Sequence, residues 1–146
     1  MKNTFDADLK VGKIGEETIL TLIHKKYPKA YLGTGYQPKY DIFIPEKDFG
    51  IEVKTDRMSR KTGNVAIECE YKGMPSGIHT TKSKYWIIIF WDKTWKYGII
   101  KTDVLLELCK RSSPIPAGQG AKVHLIPKDL FMVASRTVQN VTGNAS

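Results

Sequence analysis

The chain has 146 residues, with 23 Lys plus Arg against 15 Asp plus Glu and a formal charge of +8. That length fits one domain able to bury its own core, and 41% hydrophobic residues with 10% aromatics exclude wholesale disorder. The positive excess favours a polyanion partner.

Two cysteines, Cys69 and Cys109, exclude a disulfide scaffold; both lie among apolar residues and read as buried free thiols of a reducing cytoplasm. Met1 to Lys13 alternates charges with small apolar groups, unlike a secretion leader, and no run reaches the roughly 18 apolar residues of a membrane span. The expectation is a soluble intracellular domain that meets no membrane.

From about Asp6 to Tyr27, apolar residues recur at helical spacing (Leu9, Ile14, Ile19, Leu20, Ile23, Tyr27), and Pro28 ends this predicted helix. Ala30 to Leu32 reads as a short strand and Gly33 to Lys39 as a loop. Tyr40 to Ile44 and Ile51 to Thr55 read as a hairpin turning through Pro45-Glu-Lys-Asp-Phe-Gly50. A basic segment, Lys54 to Lys61, follows. Val65, Ile67, Cys69 and Tyr71 alternate with Ala66, Glu68 and Glu70 as in a half-buried strand. Gly73 to Ser83 is a loop rich in Gly, Ser and Thr.

Tyr85 to Trp91 has the length and β-branching of a buried strand, and Trp95 to Ile100 follows after a turn at Asp92-Lys-Thr94. Thr102 is placed to N-cap a helix over Asp103 to Lys110, which Pro114 and Pro116 end. A short strand near Val123 to Ile126 and a turn near Asp129 to Met132 complete the domain. The small polar tail from Thr137 to Ser146 is expected to fray. This order predicts an α+β (α/β-like) fold in a single domain spanning 1–146: a mixed central sheet with a helix on each face.

The chemistry-bearing stretch runs from Asp41 to Glu52-Val53-Lys54. Strand alternation sends Ile51 and Val53 to the core and Glu52 and Lys54 to the opposite face. If Phe43 pairs with Gly50, Asp41 lies across from Glu52 on that face. Two carboxylates held together repel, and one is pushed toward protonation unless a cation sits between them. Lys54 supplies one charge. Mg²⁺ supplies more, being held by one or two carboxylates with waters and substrate phosphate. Such an ion polarises a phosphoryl oxygen and acidifies a bound water, which Lys54 orients or, once neutral, deprotonates.

On the first helix, Glu16 shares a stripe with Ile19, Leu20 and Ile23, whereas Glu17 shares one with Lys13, Thr21 and His24. A carboxylate on an apolar face asks for a reason, so Glu16 is taken as an acid turned inward near the metal. Gly12 and Gly15 leave room for a partner backbone or DNA to approach. The plainer readings are an exposed Glu52–Lys54 ion pair, worth about 0–1 kcal/mol, and a hydrogen-bonded structural Glu16.

Glu16 on a helix, then Asp41, then Glu52-Val53-Lys54 on the following strand, resembles the PD-(D/E)xK nuclease superfamily over roughly Asp8 to Glu70; Tyr40 stands where its motif carries proline. Gly63-Asn-Val-Ala-Ile-Glu68 and Gly73-Met-Pro-Ser-Gly-Ile-His-Thr-Thr-Lys-Ser-Lys-Tyr-Trp86 look like small phage-type and homing-type members, extending the likeness to about Phe90. The resemblance implies a restriction-endonuclease-like core and hydrolysis of DNA phosphodiesters with Mg²⁺, for which Mn²⁺ substitutes. It implies that Asp41 and Glu52 hold the metal with help from the Val53 carbonyl. Lys54 then attends the attacking water, and Glu16 contacts the metal directly or through water.

Arg57, Arg60 and Lys61 follow the active strand and read as a loop gripping the nucleic-acid backbone. Ser76, Gly77, Thr80, Thr81 and Lys82 form a second such loop; His79 beside them reads either as a plain loop residue or as a phosphate contact, the former being favoured. Glu68 reads either as lining the cleft or as solvated, and Glu70 as solvated. His24 reads as a surface residue and His124 as structural. No His/Cys spacing suits zinc, and Gly118-Gln-Gly120 lacks the lysine and helix of a nucleotide loop. Trp86, Trp91 and Trp95 read as core or interface.

Cutting both strands needs two sites, so a homodimer or higher assembly is expected, through apolar Trp and Ile surface of the second hairpin. The sequence thus points to a Mg²⁺-dependent DNA endonuclease in the cytoplasm of a bacterial or phage-infected cell. Its rivals are a Holliday-junction or branch resolvase of the same superfamily, a non-catalytic DNA-binding module of this fold, and a protein-interaction domain.

Overall fold

A computed structural model describes residues 4–35, 39–91 and 96–138, with only the backbone described at 4–8 and 137–138. In chain order the elements are α1 (Thr4–His24), β1 (Tyr31–Leu32), β2 (Ile42–Ile44), β3 (Phe49–Asp56), α2 (Ser59–Thr62), β4 (Asn64–Tyr71) and β5 (Met74–Pro75). A 3-10 turn (Gly77–His79) precedes β6 (Tyr85–Phe90), β7 (Tyr97–Lys101), α3 (Thr102–Cys109), β8 (Ile115–Pro116), β9 (Ala121–Pro127), α4 (Lys128–Ala134) and β10 (Arg136–Val138).

The apolar run of β6 organises the molecule. Trp86, Ile88 and Phe90 point to one face and Ile87 and Ile89 to the other, and all five are buried. β6 therefore sits inside a six-stranded sheet of order β1-β2-β3-β6-β7-β10, parallel to β3 and antiparallel to β7. A parallel pair needs a long crossover. Here the crossover from β3 to β6 carries α2, β4 and β5, and β4 founds a second, antiparallel sheet of order β5-β4-β9-β8. The architecture is α+β: a mixed β-sheet flanked by α-helices.

Two apolar clusters follow from the alternation. On one face Ile19 of α1 packs with Ile42, Ile44, Ile51, Val53, Ile87 and Ile89. On the other, Trp86, Ile88, Phe90 and Ile100 meet Val65, Ile67, Cys69 and Ile126 of the second sheet, together with Leu105 and Leu108 of α3 and Phe131 of α4. A helix on each face is thus too simple: α3 and α4 share the far face with a second sheet. Both cysteines are buried free thiols in this second cluster, and burial pushes Cys109 up to about 12.

The hairpin has the expected register, with Phe43 opposite Gly50 and Ile42 opposite Ile51. α1 ends at His24 rather than Tyr27, and the chain turns there as His24 Nε2 meets the Ala30 carbonyl at 2.7 Å. Thr102 does not cap α3. Its Oγ1 donates instead to the Ser83 carbonyl at 2.7 Å, and Lys101 takes the N-cap position without a side-chain bond. The loop from Gly73 to Ser83 contains β5 and the 3-10 turn, and the predicted terminal turn is the helix α4.

Thr137 and Val138 pair with Gly98 and Tyr97, so this part of the tail belongs to the sheet. Trp86, Ile87, Ile88, Ile89 and Ile100 lie in the core, so these residues of the second hairpin present no apolar surface to a second copy. Trp95 and the Asp92-Lys-Thr94 turn lie outside the described residues. Among the described residues no helix is long and apolar enough to cross a membrane.

Candidate active site

β3 carries the site because its two faces differ. Ile51 and Val53 are buried under α1, whereas Glu52 and Lys54 occupy the side that β6 uses for Trp86 and Ile88. The second sheet packs against β6 and β7 on that side, and β3 presents Gly50, Glu52 and Lys54 there instead of apolar side chains. A cleft of about 480 Å³ lies here, lined by Lys39, Asp41, Glu52, Lys54, Glu68, Gly77, Thr80, Thr81, Lys82 and Trp86.

Asp41 enters the cleft where β2 peels away. β2 pairs only with residues 49–51 of β3, so beyond Ile51 the ladder ends. Asp41 N–H still donates to the Ile51 carbonyl at 3.2 Å, and Asp41 Oδ2 then accepts the Val53 N–H at 2.8 Å. The side chain replaces a ladder bond, which fixes it beside Glu52.

Glu52 is 16% exposed, with Oε2 at 3.6 Å from Lys54 Nζ and Oε1 at 3.5 Å from Ser83 Oγ. Burial first, then the Asp41 charge and a hydrogen bond to Asp41, raise Glu52 from 4.5 to about 7, against the opposing pull of Lys54. Lys54 is 55% exposed, and its ammonium lies 5.8 Å from the centre of the Trp86 ring.

Glu16 joins the same field. Burial and then the Asp41 charge lift it from 4.5 to about 7, while Lys54 and Lys13 pull it down. α1 comes this close because Gly15 has no side chain: a Cβ there would lie 2.4 Å from Thr55 Oγ1 and 3.1 Å from Ile89 Cδ1. Gly15 thus admits β3 and β6 rather than DNA, whereas Gly12 faces open space.

Asp41 and Glu52 in contact form the donor set that a Mg²⁺ ion takes when waters and phosphates complete its shell. The repulsion of two adjacent carboxylates, which with burial raises Glu52 to about 7, is what a cation between them relieves. Among the described residues no group of three or more His, Cys, Asp or Glu side chains is arranged to hold a metal, so Glu16 does not complete a three-carboxylate set.

The two predicted phosphate loops fare differently. Thr80, Thr81 and Lys82 line the cleft; Ser76 Oγ donates to Glu68 Oε2 at 2.9 Å, and His79 lies 6.4 Å from the buried His124 ring. Arg57, Arg60 and Lys61 are not in its wall, because β3 runs on to Asp56 and carries them past it. Glu68 lines the cleft beside a bulge in β4. His124 is structural, with Nδ1 at 2.9 Å from the Ser112 carbonyl.

Sequence reasoning missed Lys39 and Ser83. Neither sits in a periodic element, and only Lys39's place two residues before Asp41 hinted at a shared side. Compared with protein-family models, curated proteins and solved structures, the chain matches none.

Proposed function

We propose that this chain is a Mg²⁺-dependent DNA endonuclease of the PD-(D/E)xK type, with a restriction-endonuclease-like core and a catalytic centre at Glu16, Asp41, Glu52 and Lys54. One observation carries the reading: Asp41 and Glu52 touch, with Glu52 raised to about 7 and the Lys54 ammonium at 3.6 Å from it, in an open cleft of a protein with charge +8. Perturbed carboxylates beside a lysine in a cleft mark a site built for chemistry.

Asp41 and Glu52 would hold the ion, the Val53 carbonyl being the third candidate ligand. Bound there, Mg²⁺ supplies Lewis acidity and an acidified water. Lys54 orients the attacking water and takes part in its proton balance. Glu16 adds negative charge from α1, through water rather than by direct ligation. Lys39, Lys82, Thr80 and Thr81 bind the phosphates flanking the scissile bond. Arg57, Arg60 and Lys61 grip backbone farther along, and a second copy of the chain serves the second strand of a duplex.

The test is incubation of supercoiled plasmid, linear duplex and a four-way junction with and without Mg²⁺. Nicking that needs Mg²⁺ is expected from the wild type. Glu52→Ala and Lys54→Ala should lower it by about 10²-fold or more. Unchanged DNA in every lane overturns the endonuclease reading, and equal activity in wild type and variants overturns the site. Cleavage confined to the junction would make the enzyme a resolvase.

A further inference from the structure

We propose that an aromatic ledge formed by Tyr31, Phe43 and Tyr40, beside the acid cleft, stacks the unpaired bases of a DNA strand whose backbone lies in that cleft. The inference rests on the proposed nuclease reading for where the backbone runs, and it narrows the substrate to DNA with unpaired bases near the scissile phosphate.

Register places the ledge on the catalytic face. Tyr31 pairs with Phe43 and Phe43 with Gly50, and directly opposed residues share a face. Gly50 and Glu52, two residues apart on β3, share it as well, as do Phe43 and Asp41 along the other strand. The Tyr40 ring lies over Gly50: a Cβ on Gly50 would fall 1.8 Å from Tyr40 Cδ1. That packing accounts for an aromatic residue before Asp41 and for a glycine opposite Phe43.

The rings form a continuous tilted row, Tyr31 to Phe43 at 5.7 Å and 41°, and Phe43 to Tyr40 at 5.3 Å and 40°. Phe43 and Tyr40 are half-buried and fixed by each other. Tyr31, on the outermost strand, is 52% exposed and belongs to neither apolar cluster.

Edge packing explains Tyr40 and Phe43 but leaves about half of the Tyr31 side chain exposed. An exposed ring continuing a row of aromatics, next to a groove holding Lys39, Lys54 and Lys82, has the two features of single-strand binding: a π-surface for bases and cations for phosphates. Asp41 and Phe43 are separated by about 7 Å of strand, so a base beside a phosphate in the cleft falls onto the ledge. Bases inside a closed duplex are already stacked on one another and do not reach it.

The experiment measures fluorescence anisotropy of the wild-type chain in EDTA, so that nothing is cut, with a short single strand, an abasic strand of equal length and a blunt duplex. The single strand should bind more tightly than the abasic one. Tyr31→Ala should weaken single-strand binding by roughly tenfold without changing abasic binding, and Tyr31→Trp should restore it. Equal affinity for single and abasic strands, or no effect of Tyr31→Ala, overturns the ledge. Tight binding to the duplex alone overturns it while sparing the nuclease reading. Binding to none of the three overturns both.

Discussion

Glu52 shows at the scale of one residue what the site costs the fold. Its carboxyl is held near 7 in the folded chain against an ordinary 4.5, because burial and Asp41 oppose its charge. Between those values the folded state binds more protons than the unfolded state. Stability from this proton is therefore full below the ordinary value and is lost as pH rises through the folded one. Glu16 acts in the same sense, less strongly because water screens it more. Glu52→Gln keeps the shape of the protonated acid at every pH. We expect it to stabilise the metal-free protein near about pH 8 by on the order of 2 kcal/mol, with little effect near about pH 5. Urea midpoints at the two pH values check this; an equal gain at both would mean that the charge of Glu52 is not what strains the site.

The elements around the cleft are held by positions of little chemical interest. Gly77 opens the 3-10 turn with φ of +55°, and a Cβ there would lie 2.1 Å from the Glu68 carbonyl oxygen. The glycine lets the Thr80-Thr81-Lys82 wall press against β4. Gly77→Ala meets both a left-handed backbone and a backbone clash, so we expect a loss of about 2 kcal/mol or more. It should also move the amide signals of Thr80 and Lys82 well before those of Phe131. Unchanged spectra would mean that the turn does not set the wall.

Much at this scale was legible in the sequence. The run over β6 reads as a buried strand, and the turn length between two alternating strands permits the Phe43–Gly50 register that the structure shows. The second sheet was not legible. β4 and the segment Val123 to Ile126 each read as a strand, but they lie some fifty residues apart, Lys122 and His124 interrupt the apolar pattern of β9, and a bulge between Glu68 and Glu70 breaks the alternation of β4, so their pairing does not show. β5 and β8 are two residues each, too short for any period to show. Arg57, Arg60 and Lys61 follow Lys54 closely in sequence, but a strand advances about 3.3 Å per residue, so β3, running on to Asp56, places them past the cleft wall rather than in it.

For the whole molecule, the acid pair is a local exception inside a cationic protein. A chain of charge +8 gathers few divalent cations on its surface at large, so stabilisation by Mg²⁺ should report a specific locus. Proton and cation compete for the carboxylate oxygens of Glu52, and linkage then fixes the sign: Mg²⁺ binds better as pH rises through about 7, where Glu52 gives up its proton. With the ion at about ten times its dissociation constant, the gain is roughly 1.4 kcal/mol, or about 4 °C in melting temperature for a chain of this size. We expect that rise near about pH 8, a much smaller one near about pH 5.5, and none in Glu52→Gln at either. Potassium chloride at matched ionic strength should not reproduce it, because screening acts on all charges and leaves the two carboxylates without a shared partner. A rise that is independent of pH, or that survives in Glu52→Gln, would place the cation elsewhere on the molecule and leave the Asp41–Glu52 contact as a purely protonic pair.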